Sequence, residues 1–88
     1  MRKLIRSSQF KRDIKKAIKQ GRDMEKLKTL LSLLIDGKTL PPEYLDHSLK
    51  GNWKGYRDAH IEPDWLLIYQ VDSKCLKLVR TGSHSELF

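Results

Sequence analysis

Trp65-Leu66-Leu67-Ile68-Tyr69-Gln70-Val71 is the stretch that decides the fold of this chain. Apolar, aromatic and β-branched residues run almost without interruption, so the segment reads as a central strand covered on both faces. Immediately upstream, Glu62-Pro63-Asp64 marks a turn, because proline cannot donate to a strand ladder, and Tyr56 to Ile61 reads as the strand before it. Downstream, Asp72-Ser73-Lys74 makes a hairpin turn from which Cys75 to Thr81 returns as a further strand.

The first half follows a different period. Leu4 and Ile5 make a short strand, and Ser7 or Ser8 caps a helix whose apolar stripe is Phe10, Ile14, Ala17 and Ile18. Gly21 ends that helix. Asp23 caps a second one, with Met24, Leu27, Leu31, Leu34 and Ile35 as its stripe, widened by Leu30 and Leu33 and closed by Gly37 as a left-handed cap. Pro41-Pro42 breaks the pattern, and Glu43 to His47 is expected to form a turn or a single helical turn. The order β-α-α-β-β-β predicts an α+β fold, with a helical pair packed on one face of a mostly antiparallel four-stranded sheet. There is no internal repeat or linker, so residues 1–88 are read as one domain.

With 88 residues, 39% hydrophobic and 33% charged, the composition is that of a globular domain rather than a disordered segment. No apolar run approaches the roughly 20 residues of a bilayer-spanning helix, and the N-terminal segment lacks the apolar stretch of a signal peptide. A cytoplasmic protein with no membrane partner is the expectation. Cys75 is the one cysteine, which excludes an intrachain disulfide or a CxxC metal knuckle, and it reads as a small strand residue.

Charge is unevenly distributed. Residues 1–38 hold 12 Lys and Arg against 4 acids, whereas residues 39–88 hold 6 against 7. The first helix concentrates Lys11, Arg12, Lys15, Lys16 and Lys19, a cationic face suited to a polyanion. All three histidines lie in the nearly neutral second half, as Asp46-His47-Ser48, Arg57-Asp58-Ala59-His60 and Gly82-Ser83-His84-Ser85. An unperturbed imidazole, with a pKa of about 6.5, both donates and accepts protons near neutral pH.

Asp58 and His60 are two apart, so in a strand they share one face at about 7 Å along the chain. Asp64 lies just past the turn, where it can fold back toward His60. The residues alone leave three uses open: polar groups at turns, carboxylate and imidazole ligands for a divalent metal, or an acid–base site. A complete metal-ligand pattern is missing, so no metal or other cofactor is expected. RNA cleavage fits the inventory best. A base takes the 2′-hydroxyl proton, the oxyanion attacks phosphorus, and an acid protonates the departing 5′-oxygen. Lys50, Lys54, Arg57 and Arg80 are candidates for steadying phosphoryl charge. Tyr44, Trp53, Tyr56, Trp65 and Tyr69 read as packing residues, whereas Phe88, the last residue, can stack on a base, plug the core or fray.

The run from Asp46 to Phe88 resembles the YafQ branch of the RelE/ParE superfamily, the toxins of bacterial type II toxin–antitoxin pairs. The resemblance rests on Asp46-His47-x-Leu49-x-Gly51-x-Trp53-Lys54-Gly55-Tyr56-Arg57-Asp58-Ala59-His60-Ile61-Glu62-Pro63-Asp64-Trp65, then Leu67-Ile68-Tyr69, Arg80-Thr81-Gly82-Ser83-His84 and Leu87-Phe88. It extends to Asp23-Met24-x-Lys26-Leu27-Lys28. It implies a compact RelE-like fold and a ribosome-dependent endoribonuclease that cuts mRNA in the A site. It also implies functional positions at His47, Asp58, His60, Asp64, His84 and Phe88. In that scheme His47 is the general base, with His60 and Asp64 as its orienting or substitute partners; His84 is the general acid and Phe88 a nucleotide-stacking group. The basic first helix would hold ribosomal RNA. The implied partners are the ribosome and mRNA, an acidic antitoxin of the DinJ/RelB kind and, through that antitoxin, operator DNA. A non-catalytic ParE-like toxin acting on gyrase would not need the histidines, and neither would a plain nucleic-acid-binding module.

Overall fold

A computed structural model of the chain describes residues 2–88. In chain order the elements are β1 (Lys3–Arg6), α1 (Ser8–Lys19), α2 (Met24–Ile35), β2 (His47–Ser48), β3 (Arg57–Glu62), β4 (Trp65–Val71), β5 (Cys75–Gly82) and α3 (His84–Leu87). Single 3-10 turns lie at Pro42–Tyr44 and Gly51–Trp53. The sheet order is β1-β5-β4-β3-β2, with β1 parallel to β5 and the other neighbours antiparallel.

This is the expected α+β arrangement with two corrections. The sheet has five strands rather than four, because His47–Ser48 pairs with β3 over two residues, too few to show a strand pattern. A third helix follows β5. It is only four residues long, but Ser83 and Glu86 form a reciprocal capping box around its first turn.

β4 is central and dry on both faces: Trp65, Leu66, Leu67 and Ile68 are 0% exposed and Tyr69 1%. Trp65, Leu67 and Tyr69 join Phe10 and Ala17 of α1 and Leu27, Leu30 and Leu34 of α2 in the main core. Leu66 and Ile68 face the opposite side, where they meet Leu87 of α3 and the partly buried Leu49, Trp53, Tyr56 and Val79. One face is therefore fully covered by two helices, and the other only by a short helix and a turn.

The helices start and stop at the expected residues. Ser7 Oγ accepts from Phe10 N at 2.9 Å and Asp23 Oδ1 from Glu25 N at 3.0 Å, while Gly37, at φ +72°, leaves α2 in a left-handed conformation. The stripe of α1 differs from the expectation, because Ile18 is 59% exposed and Asp13 occupies the sheet-facing side beside Phe10 and Ala17. Asp13 is there for charge rather than apolar contact. Its carboxylate accepts from Arg80 Nε and Nη2, both at 3.1 Å, and from the Thr81 N–H at 3.2 Å, which ties α1 to β5.

Replacing Asp13 with Ala leaves the Arg80 guanidinium without its partner under α1 and should cost about 3 kcal/mol. Urea unfolding monitored by circular dichroism checks this: the midpoint should fall while the slope stays unchanged.

Candidate active site

The pleat of β3 builds the site. Ala59 and Ile61 point into the helix-covered core, so Asp58 and His60 lie on the thinly covered face, opposite Ile68 and Leu66 of β4. β2 then sets His47 across from Asp58. At the far end of the same face, the turn into α3 carries His84. The two rings His60 and His84 stand 5.6 Å apart, and His84 and Phe88 6.2 Å apart.

His47 Nδ1 is 2.8 Å from Leu45 O and 3.0 Å from Asp58 Oδ1. Both neighbours are acceptors, so Nδ1 carries the proton and Nε2 is the nitrogen left for chemistry. Its hydrogen bond is directed at the carbonyl. Asp58 Oδ1 is in reach by distance but makes no directed hydrogen bond. Burial pushes the Asp58 carboxyl above its usual range, against the pull of His47 and His60.

His84 is fixed by Asp64, whose Oδ1 accepts from the His84 backbone N–H at 3.0 Å and lies 3.3 Å from Nδ1. Those contacts, the backbone N–H first, hold the Asp64 carboxyl below its usual range. Asp64 was expected as an orienting or substitute partner of His47; the structure sets it beside His84, because the β3–β4 turn reaches across to the start of α3. His60 is the third imidazole, and both of its ring nitrogens are buried with no hydrogen-bond partner among the described residues. A polar group in that condition calls for an explanation in the chemistry of the site.

Phe88 is 57% exposed beside Trp53, with ring centroids 6.5 Å apart in an edge-on arrangement. Lys50 and Lys54 flank the turn that carries Trp53, and both are exposed. The two arginines are already engaged. Arg57 is bound to Asp46 and Ser48, and Arg80 to Asp13 on the other layer. On α1, Lys11, Arg12, Lys15, Lys16 and Lys19 are all exposed. Lys16 also forms an ion pair with Glu86, which joins the basic helix to α3. Two acids absent from the expected site, Asp46 and Glu86, are thus part of its frame. The sequence signal for Glu86 was its capping-box spacing from Ser83. A cavity of about 550 Å³ lies between α2, the Pro42–Tyr44 turn and β3; His60 borders it, and His47 and His84 do not.

Residues 2–88 match the family described as bacterial toxin of type II toxin-antitoxin system, YafQ. The mRNA interferase toxin YafQ of Escherichia coli K12 is 54% identical over 83 residues, covering 93% of this chain and 90% of that protein. A chain of the crystal structure of the E. coli DinJ-YafQ toxin-antitoxin complex superposes with a TM-score of 0.93 at 52% identity, covering 99% of this chain and 97% of that one. A metal-bound toxin from Helicobacter pylori superposes with a TM-score of 0.92 at 42% identity over all of both chains. Among the described residues here, no three His, Cys, Asp or Glu side chains converge as a metal-binding group.

Glu86 makes α3 sensitive to acid. Lys16, and after it the Ser83 N–H, lower its pKa from 4.5 to about 2. A depressed carboxyl stabilises the fold fully above its unfolded pKa and loses that contribution as pH falls toward the folded one. Thermal midpoints measured between pH 4.5 and pH 2 should therefore fall in the wild type. Glu86→Gln should show a shallower dependence across that window, and equal slopes would contradict this assignment.

Proposed function

Because the chain belongs to the YafQ family of bacterial toxins from type II toxin-antitoxin systems, we propose that it is a ribosome-dependent endoribonuclease that cuts mRNA in the A site and so arrests translation. One observation carries the reading. Two imidazoles from different elements each hold Nδ1 near a carboxylate oxygen, at 3.0 Å for His47 and 3.3 Å for His84, and a third, His60, adjoins His84 with both nitrogens unpartnered among the described residues.

In this scheme His47 Nε2 takes the 2′-hydroxyl proton, and the 2′-oxygen attacks the adjacent phosphorus. His84, with Asp64 as the counter-charge on its Nδ1 side, returns a proton to the departing 5′-oxygen. The unpartnered His60 nitrogens meet the phosphoryl oxygens or substitute for His47. Lys50 and Lys54 supply positive charge to the same face, while Arg57 and Arg80 act through Asp46 and Asp13 and contribute field rather than free donors. Phe88 stacks on a base beside the scissile bond. The reaction begins with RNA's own hydroxyl and routes no step through a metal.

The exposed lysines of α1 hold ribosomal RNA, on a layer of the molecule separate from the chemistry. An acidic antitoxin, as DinJ is partner to YafQ in E. coli, covers this charge and the site, and brings the pair to operator DNA. Work at the ribosome places the protein in the cytoplasm. Among the described residues no helix is long and apolar enough to cross a membrane.

Toe-printing of mRNA on programmed ribosomes tests the activity: new 3′ ends within the A-site codon are expected, and intact message would overturn it. His84→Ala and His60→Ala should each lower cleavage roughly 10²- to 10⁴-fold while remaining folded. Retained activity in both would remove the acid–base mechanism.

Lys11, Lys15 and Lys19 changed together to Glu should weaken co-sedimentation with ribosomes and flatten its dependence on salt, as loss of phosphate contacts does. Lys16 is left in place because it holds Glu86. Undiminished association would remove the docking role of α1.

A further inference from the structure

β2 is joined to the sheet by two residues in register, His47 with Asp58 and Ser48 with Arg57. It nevertheless carries an imidazole that must be held closely to exchange a proton. The means of holding it lie on the opposite face. Successive side chains of an extended segment alternate, so His47 turns toward Asp58 while Asp46 and Ser48 turn toward Arg57 and Tyr69. The Asp46 carboxylate accepts from the Tyr69 hydroxyl, from Arg57 Nε at 3.2 Å and from Arg57 Nη2 at 3.0 Å. Arg57 Nη1 donates to Ser48 Oγ at 2.8 Å. Tyr69 is 1% exposed in the main core, so the anchor is packed on all sides.

Leu45 stands on the other side of Asp46, at φ +49°, a left-handed conformation disfavoured for a branched side chain. Its side chain is 58% exposed, so burial does not hold it there. Its neighbours do. Leu45 N donates to Pro42 O at 3.0 Å, and Asp46 fixes the chain on the other side. That conformation brings Leu45 O to within 2.8 Å of His47 Nδ1.

We propose that Asp46 is the positioning residue of His47: by tying the chain to Tyr69 and Arg57, it keeps Leu45 O where it selects the Nδ1–H tautomer and leaves Nε2 free. The catalytic consequence rests on the proposed function; the tautomer does not. Without Asp46, Leu45 relaxes to negative φ, its carbonyl swings away, and the imidazole is released to both tautomers.

Asp46→Ala, Asp46→Asn and Tyr69→Phe are compared with wild type by ¹⁵N NMR of the neutral His47 ring and by single-turnover cleavage on mRNA-programmed ribosomes. Asp46→Ala should turn a single Nδ1–H tautomer into a mixture and lower the cleavage rate roughly 10- to 100-fold, the usual cost of losing a supporting hydrogen bond. The half-saturating ribosome concentration should not change. Asp46→Asn, which still accepts from Tyr69, should restore part of the rate. In a His47→Ala background Asp46→Ala should cost nothing further, whereas a general structural role would multiply the two losses. An unchanged tautomer in folded Asp46→Ala, or multiplied losses, would overturn the proposal. If Asp46→Ala does not fold, Tyr69→Phe decides by the same readouts, with a smaller shift in the same direction expected. A wild-type protein that leaves mRNA intact counts against the proposed function, and the tautomer comparison still decides the role of Asp46.

Discussion

The alternation of β3 is the constraint on which the rest depends. Ala59 and Ile61 are committed to the core under α1 and α2, and the pairing of Ala59 with Leu67 of β4 sets the register ahead of the bulge at Ile61. Asp58 and His60 then have no choice of face. A slip of one residue would drive a carboxylate and an imidazole beneath α2 and expose two apolar side chains, so the packing of the core enforces the placement of the site. The opposite face can hold these groups because it is covered thinly, by Leu87, Trp53 and their neighbours rather than by a helical layer. Asp58 still feels the burial, which raises its pKa, and His47 Nδ1 lies 3.0 Å from its Oδ1.

Four acids divide the remaining labour. Asp13 fastens α1 to β5 through Arg80, and Asp46 fastens β2 through Arg57 and Tyr69. Asp58 and Asp64 each stand beside an imidazole. The first two neutralise arginines that would otherwise be available to any polyanion, which leaves the free positive charge mainly to lysines, with Arg12, on α1 and to lysines around the Gly51–Trp53 turn. A lysine presents a mobile point charge, suited to holding phosphates without fixing their geometry. The proposed docking surface and the proposed chemistry therefore occupy different layers, with Lys16 and Glu86 as the bridge between them.

Trp65 to Val71 was legible to the residue, because only a strand buried on both faces tolerates such a run, and Ser7, Asp23 and Gly37 announced the helix ends through capping chemistry. That Asp58 and His60 share one face followed from strand spacing, whereas the approach of His84 to His60 belongs to the assembled sheet. Other features were invisible for physical reasons. A two-residue strand has no period, so β2 could be read only as a turn, and a four-residue α3 has no stripe. Asp13 sits at a helix position where an apolar residue is the rule, and nothing local reveals that Arg80 will meet it from 67 residues away. For the same reason Arg57 and Arg80 looked like free phosphate ligands. Pairing of Asp64 with His84 rather than with His47 depends on how the β3–β4 turn meets the end of β5, which is a property of the assembled sheet.

In the proposed reaction the histidine face cleaves RNA by attack of the RNA's own 2′-hydroxyl. Ribosomes programmed with an mRNA carrying a single 2′-deoxy nucleotide immediately 5′ of the scissile phosphate test it directly, with the all-ribose message alongside. A 2′,3′-cyclic phosphate or 3′-phosphate end is expected on the all-ribose message, with no cutting at the deoxy position. Cleavage of the deoxy-substituted message, or a 3′-hydroxyl end, would contradict it.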